Sequence, residues 1–136
     1  MQAPIAFAQA LADETRWRII HLVLEEALCV CELADVLKLP QSTLSSHLKV
    51  IQKAELLACE RRGKWMFYQV QPGYRSLLET LFKHFGSNNK TDPALARDAR
   101  QARTRLAKRV ASCCPGPQAP APRKRQAAAV RTLSTP

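Results

Sequence analysis

Two short apolar stripes of helical period, parted by a single proline, constrain this chain more than any other feature. Leu33, Val36 and Leu37 share one side of a helix expected over Glu32–Leu39, and Pro40 ends it. A fresh helix is expected from about Ser42 to Ala54, buried through Leu44, Leu48 and Ile51 at i, i+4 and i+7. Two short helices joined by so tight a turn form a helix-turn-helix pattern. A hairpin should follow, with strand-like runs at Leu56–Glu60 and Trp65–Val70 and a tip made of Arg61, Arg62, Gly63 and Lys64. A hairpin in that place is a wing. The expected fold is mostly α with a small β-hairpin, a winged helix-turn-helix that works as a homodimer.

The flanking segments fit this frame. Ile5–Ala12 is apolar and Ala-rich, and Asp13 offers an N-cap to a helix from Glu14 to about Leu24. Tyr74, Leu77, Leu78, Leu81, Phe82 and Phe85 form a wide stripe after Pro72. With the N-terminal helix, that stripe is the expected dimer interface, although part of it must close the monomer's own core. A polar linker, Gly86–Thr91, precedes Asp92 and Pro93, an N-cap followed by proline at the first helical position. That helix should run to about Ala111, and Pro115–Pro136 reads as disordered. The organisation expected is therefore a DNA-binding and dimerisation unit over 1–85, a linker and basic helix over 86–112, and a basic Pro/Ala-rich tail over 113–136.

Charge supports a nucleic-acid partner without locating the reading surface. The net charge is +10, but residues 1–96 hold 11 basic and 10 acidic side chains, whereas residues 97–136 hold 10 basic and one acidic. The local pattern is more informative. Ser42, Ser46, Lys49 and Lys53 lie opposite the apolar stripe of the second helix, flanked by Gln41, Thr43 and Ser45. Hydroxyls and amides meet base edges in a major groove, and lysines meet phosphates. Arg61, Arg62 and Lys64 would extend the contact to neighbouring phosphates. His47 lies nearer the buried side, where it would orient the helix or touch a phosphate. One such unit reads a half-site, so a dimer on palindromic double-stranded DNA is expected. Apolar stretches break well short of a membrane span, and the N-terminus lacks the basic start of a secretory signal, which favours the cytoplasm.

Four segments carry a family likeness: Leu11-Ala-Asp-Glu-Thr-Arg-Trp-Arg-Ile, Leu28-Cys-Val-Cys-Glu-Leu-Ala, Ser45-Ser-His-Leu-Lys-Val-Ile and the Arg61-Arg-Gly-Lys wing. Over about residues 5–85 the chain resembles the ArsR/SmtB metalloregulatory repressors, in particular the arsenic-responsive branch. The resemblance implies a repressor of an arsenic-resistance operon that leaves its operator when trivalent arsenic or antimony binds cysteine thiolates. It carries over to Cys29 and Cys31 and stops there, because Ala34 stands where the best-known arsenic sensors have a third cysteine.

The cysteines themselves suit a soft ion. Cys29, Cys31, Cys59, Cys113 and Cys114 include no Cys-x-x-Cys pair and no adjacent histidine, which argues against a structural zinc module. Cys29 and Cys31 precede a helix, where the dipole should favour thiolate over thiol. Side chains two apart on a regular helix point about 200° apart, so both sulfurs reach one ion only if the backbone there is not helical. Ligation would then fix or unwind the start of the helix. A third sulfur could come from Cys59, Cys113 or Cys114; alternatively, two suffice for an organoarsenical. Cys113-Cys114 could also form a second site or be incidental thiols in a tail, and Cys59 reads as a strand filler. A thiol-redox sensor is the competing reading of the same fold. An arsenate reductase is disfavoured, since no cysteine has arginine six residues on. No organic cofactor and no enzymatic activity are expected.

Overall fold

The computed structural model describes residues 2–109. In chain order it contains α1 (Gln2–Leu11), α2 (Glu14–Glu25), β1 (Leu28–Cys29), α3 (Val30–Leu37), α4 (Gln41–Lys53), β2 (Leu57–Arg62), β3 (Trp65–Val70), α5 (Pro72–His84) and α6 (Pro93–Ala107). The helix pair α3–α4 followed by the β2–β3 wing is the expected winged helix-turn-helix. Leu33, Leu44, Leu48 and Ile51 are fully buried, so the stripes on either side of Pro40 do close one core. Lys38 ends α3 in the left-handed region (φ 58, ψ 48), and Pro40, at φ −62 and ψ 147, turns the chain into α4.

Three local details differ from the sequence expectation. First, α3 begins at Val30, with Cys29 as its N-cap, because the buried Glu32 carboxylate accepts the free Cys29 N–H at 3.1 Å. Secondly, Leu28–Cys29 forms a third strand, antiparallel to β3, in a sheet of order β1-β3-β2. Thirdly, the wing tip is only Gly63-Lys64, since Arg62 pairs with Trp65 and leaves a two-residue loop. Gly63 takes φ 63 at the first turn position, the conformation glycine supplies cheaply in such tight hairpins. Arg61 and Arg62 therefore belong to β2 and not to the tip.

The N-terminal helix is longer than Ile5–Ala12, starting at Gln2. Asp13 caps α2 by accepting from Arg16 N, and Asp92 caps α6 by accepting from Ala94 N and Leu95 N. Helix α6 packs across α2 and α3, placing Ala102 in the main core and Leu106 against it. Trp17 on α2 meets Phe82 of α5 and Phe85, the C-cap of that helix, edge-on, and Phe7 of α1 stacks on Tyr74. Part of the α5 stripe thus closes the monomer, as Leu78 and Phe82 are buried, while Leu77 and Phe85 remain exposed. No helix among the described residues is long and apolar enough to cross a membrane. Helix α6 ends at Ala107 with Lys108 as its C-cap, short of the Ala111 expected, and the tail, including Cys113 and Cys114, lies outside the described residues.

Candidate functional site

Helix α4 presents the polar face that its sequence requires. With Leu44, Leu48 and Ile51 turned inward, Gln41, Ser42, Thr43, Ser46, Lys49 and Lys53 are exposed and Ser45 is half-buried. Ser46 donates to the Ser42 carbonyl at 3.2 Å, a back-bond that a hydroxyl on an exposed face can exchange for another acceptor. On the wing, Arg61 and Lys64 are exposed, but Arg62 is half-buried and its guanidinium holds Glu60 at 2.8 Å. Among the described residues, two of the three wing cations have no ion-pair partner, and the third is held inside its own strand.

His47 sits where the helical angle places it, half-buried beside the start of α2. Its Nδ1 accepts from Arg16 at 3.2 Å, and the same guanidinium holds the α1 carbonyls of Gln9 and Ala10 at 2.9 and 3.1 Å. The Asp13 carboxylate stands 3.8 Å from that nitrogen. Arg16 thereby ties the end of α1 to the outward helix, a role the local sequence pattern does not reveal.

The second cluster surrounds the start of α3. Cys29 and Cys31 bring their sulfurs to 3.2 Å. The backbone explains this: Cys29, at φ −93 and ψ 172, is extended, whereas Cys31 is already helical. The 200° separation of a regular helix does not apply across that junction, so no unwinding is needed. A single atom bonded to both sulfurs at about 2.3 Å, the usual metal–thiolate length, spans a gap of this size.

The expected electrostatic help from the helix dipole is outweighed at Cys29. Burial, followed by the nearby Glu32 carboxylate, pushes its thiol up from 9.0 to about 11. Cys29 is only 2% exposed and packs with Phe67, its partner across the β1–β3 pairing. Cys59 is on the other side of the sheet. It pairs with Tyr68, next to Phe67 on β3, and successive strand residues face opposite ways. Its sulfur accepts from Gln52 of α4 at 3.3 Å and is exposed. Among the described residues, no group of three or more His, Cys, Asp or Glu side chains forms a metal site.

An ion-pair cluster lies beside the two sulfurs. Glu32 is fully buried and accepts from Arg109 through both oxygens, at 2.7 and 2.9 Å. Arg109 also donates to the Ala27 carbonyl at 2.9 Å and lies 5.5 Å from the Phe67 ring centroid. Arg105 binds the exposed Asp35 at 2.6 Å, and Arg18 of α2 forks onto buried Asp98 with two bonds of 2.8 Å. These contacts join residues about seventy to eighty positions apart, beyond any periodicity argument. The one local clue was Glu32 three residues after Cys29, the spacing of a capping box.

Known proteins resemble this chain in sequence and fold. Residues 13–58 match the family described as "Bacterial regulatory protein, arsR family". The chain is 38% identical over 81 residues to the arsenic resistance transcriptional regulator ArsR1 of Pseudomonas putida, spanning 59% of this chain and 62% of that protein. It is 40% identical over 63 residues to the HTH-type transcriptional regulator MJ1325 of Methanocaldococcus jannaschii, spanning 46% of this chain and 71% of that one. Among solved structures, HlyU from Vibrio cholerae superimposes with a TM-score of 0.56 at 27% identity, covering 62% of this chain and 92% of HlyU. With a matching domain, related regulators and a shared winged fold, the chain belongs to the arsR family of bacterial regulatory proteins.

Proposed function

We propose that this protein is a cytoplasmic, homodimeric, DNA-binding repressor of an arsenic-resistance operon, released from its operator when trivalent arsenic or antimony binds Cys29 and Cys31. The observation that carries the reading is the pair of sulfurs 3.2 Å apart at the junction of β1 and α3. That junction joins the wing sheet to the helix pair. Cys29 is hydrogen-bonded into the wing sheet opposite Phe67, and Cys31 lies in the first turn of the helix that supports α4.

On this reading Gln41, Ser42, Thr43, Ser45 and Ser46 meet base edges, Lys49 and Lys53 meet phosphates, and Arg61, Arg62 and Lys64 grip the flanking backbone. In the fully reduced protein, ligation would bond both sulfurs to one ion and draw β1 and α3 into a fixed relation. The DNA-bound form must hold that ion less well than the free form, since coupling between two sites requires such a difference. The exposed Leu77 and Phe85, with Ile5 on α1, supply apolar surface for a second copy. The reading names a regulator whose ligand acts as signal, with no turnover.

Operator release under anaerobic conditions, titrated with arsenite, antimonite and cadmium, tests the assignment. Release by arsenite at low stoichiometry, abolished by Cys29→Ser, supports it; release by none of the three ions removes it. The same sulfur separation also favours one alternative, a thiol-redox sensor. Release by peroxide with no response to arsenite would establish that alternative instead.

A further inference from the structure

A helix that reads bases must be held against rolling about its own axis. Leu44, Leu48 and Ile51 seat α4 on the core, but apolar attraction is non-directional. Side chains reach about 5–6 Å from a helix axis, so a roll of about 20° carries a hydroxyl about 2 Å, out of hydrogen-bond range of a base edge. Building on the assignment of α4 as the reading helix, we propose that Arg16 is the positioning residue that fixes this roll. It locks α4 to the end of α1 through His47, and so sets the register in which bases are read.

All three guanidinium nitrogens of Arg16 face protein acceptors. Nε donates to the Ala10 carbonyl at 3.1 Å, Nη2 to the Gln9 carbonyl at 2.9 Å and Nη1 to His47 Nδ1 at 3.2 Å. The two carbonyls lie in the last turn of α1, where C=O groups lack helical partners and a cation is favoured. Arg16 is also held through its backbone, whose N–H donates to the Asp13 carboxylate at 3.1 Å. That carboxylate stands 3.8 Å from His47 Nδ1, on the same junction.

Both ends of the lock are well placed. On α1, Ala10 is fully buried and Phe7 stacks on Tyr74 of α5, so the anchor is itself packed. The same helix carries exposed Ile5, part of the surface assigned above to a second copy, which relates the roll of α4 to the dimer face. On α4, His47 is half-buried between exposed Ser46 and buried Leu48, at the border of the outward face and the inward stripe. A directional bond at that border opposes a rotation that the apolar stripe alone does not specify. Lysine at position 16 would keep the charge, but its single ammonium lacks the planar fork that spans these three acceptors.

The test uses the full chain and two DNA probes: the palindromic duplex it selects from a randomised pool, and a random-sequence duplex of equal length. Arg16→Lys, Arg16→Gln and His47→Leu should each weaken the selected duplex about tenfold and leave the random duplex within about twofold of the parent. The salt slope for the selected duplex should stay at the parent value in all three, because no phosphate contact is lost. His47→Asn, whose side-chain oxygen can accept in place of Nδ1, should hold both duplexes within about twofold of the parent. Arg16→Lys/His47→Leu should be no weaker than the weaker single variant, since both remove one shared bond. Equal loss on both duplexes, the mark of a merely structural role, overturns the inference, as does unchanged selectivity in Arg16→Lys and His47→Leu. A salt slope lowered by about 0.9 in Arg16→Gln shows a direct phosphate contact and overturns positioning. A parent chain that selects no sequence from the pool overturns the assignment of α4 itself, and with it the inference.

Discussion

At the residue scale, Glu32 and Cys29 are the side chains whose surroundings decide their behaviour. Glu32 is fully buried, and Arg105 of α6 and Arg109 just beyond it surround it, so removing its charge leaves a cation in a closed site. Glu32→Gln keeps the shape and should lower stability by about 3 kcal/mol, read from denaturant midpoints at constant slope. For Cys29, the thiol is raised from 9.0 to about 11 by burial first. The folded protein then holds this proton more tightly than the unfolded chain. Its contribution is fully present below pH 9 and is lost as pH rises toward about 11. Stability should therefore fall across that window, and Cys29→Ala should flatten the fall. Alkylation should follow the same order, with exposed Cys59 modified ahead of buried Cys29 at neutral pH.

At the element scale, the helices and the wing were legible because each rests on a local rule. The i, i+4, i+7 stripe of Leu44, Leu48 and Ile51 fixed the inward side of α4, and Asp13 and Asp92 marked helix starts that the structure contains. Asp92→Ala should cost about 1 kcal/mol, because Ala94 N and Leu95 N lose their acceptor; thermal unfolding checks it. Strand β1 was not legible, since two residues carry no periodicity and gain strand character only by pairing with β3. The clamp on α3 was not legible either, because Glu32 and Arg109 meet through tertiary packing. The wing tip was overestimated for a geometric reason: the Arg62–Trp65 pairing extends the ladder to within two residues of closure. It follows that Arg61 and Lys64 should matter more to DNA affinity than Arg62, whose charge is shared with Glu60. Substituting Arg61 or Lys64 by Ala should reduce the salt dependence of operator binding by about 0.9 per lost phosphate contact, and Arg62→Ala by less.

At the scale of the whole molecule, the polar α4 face and the sulfur pair meet in one small sheet and one helix pair. The exposed α4 face and wing turn outward, while Cys29 lies in β1 of the same sheet and Cys31 in the first turn of α3, with Glu32 linking that junction to Arg109 just past α6. A second copy docked on Leu77 and Phe85 would set two reading heads for one palindrome. Leu77→Asp should accordingly dissociate the dimer in sedimentation and weaken operator binding with it. The central claim is that ligation of Cys29 and Cys31 releases DNA. Its most direct measurement is anaerobic operator release by arsenite across the parent, Cys29→Ser and Cys31→Ser proteins. All three should bind the operator equally before arsenite, and the parent alone should be released after it. Release of either serine protein at unchanged arsenite concentration would contradict it.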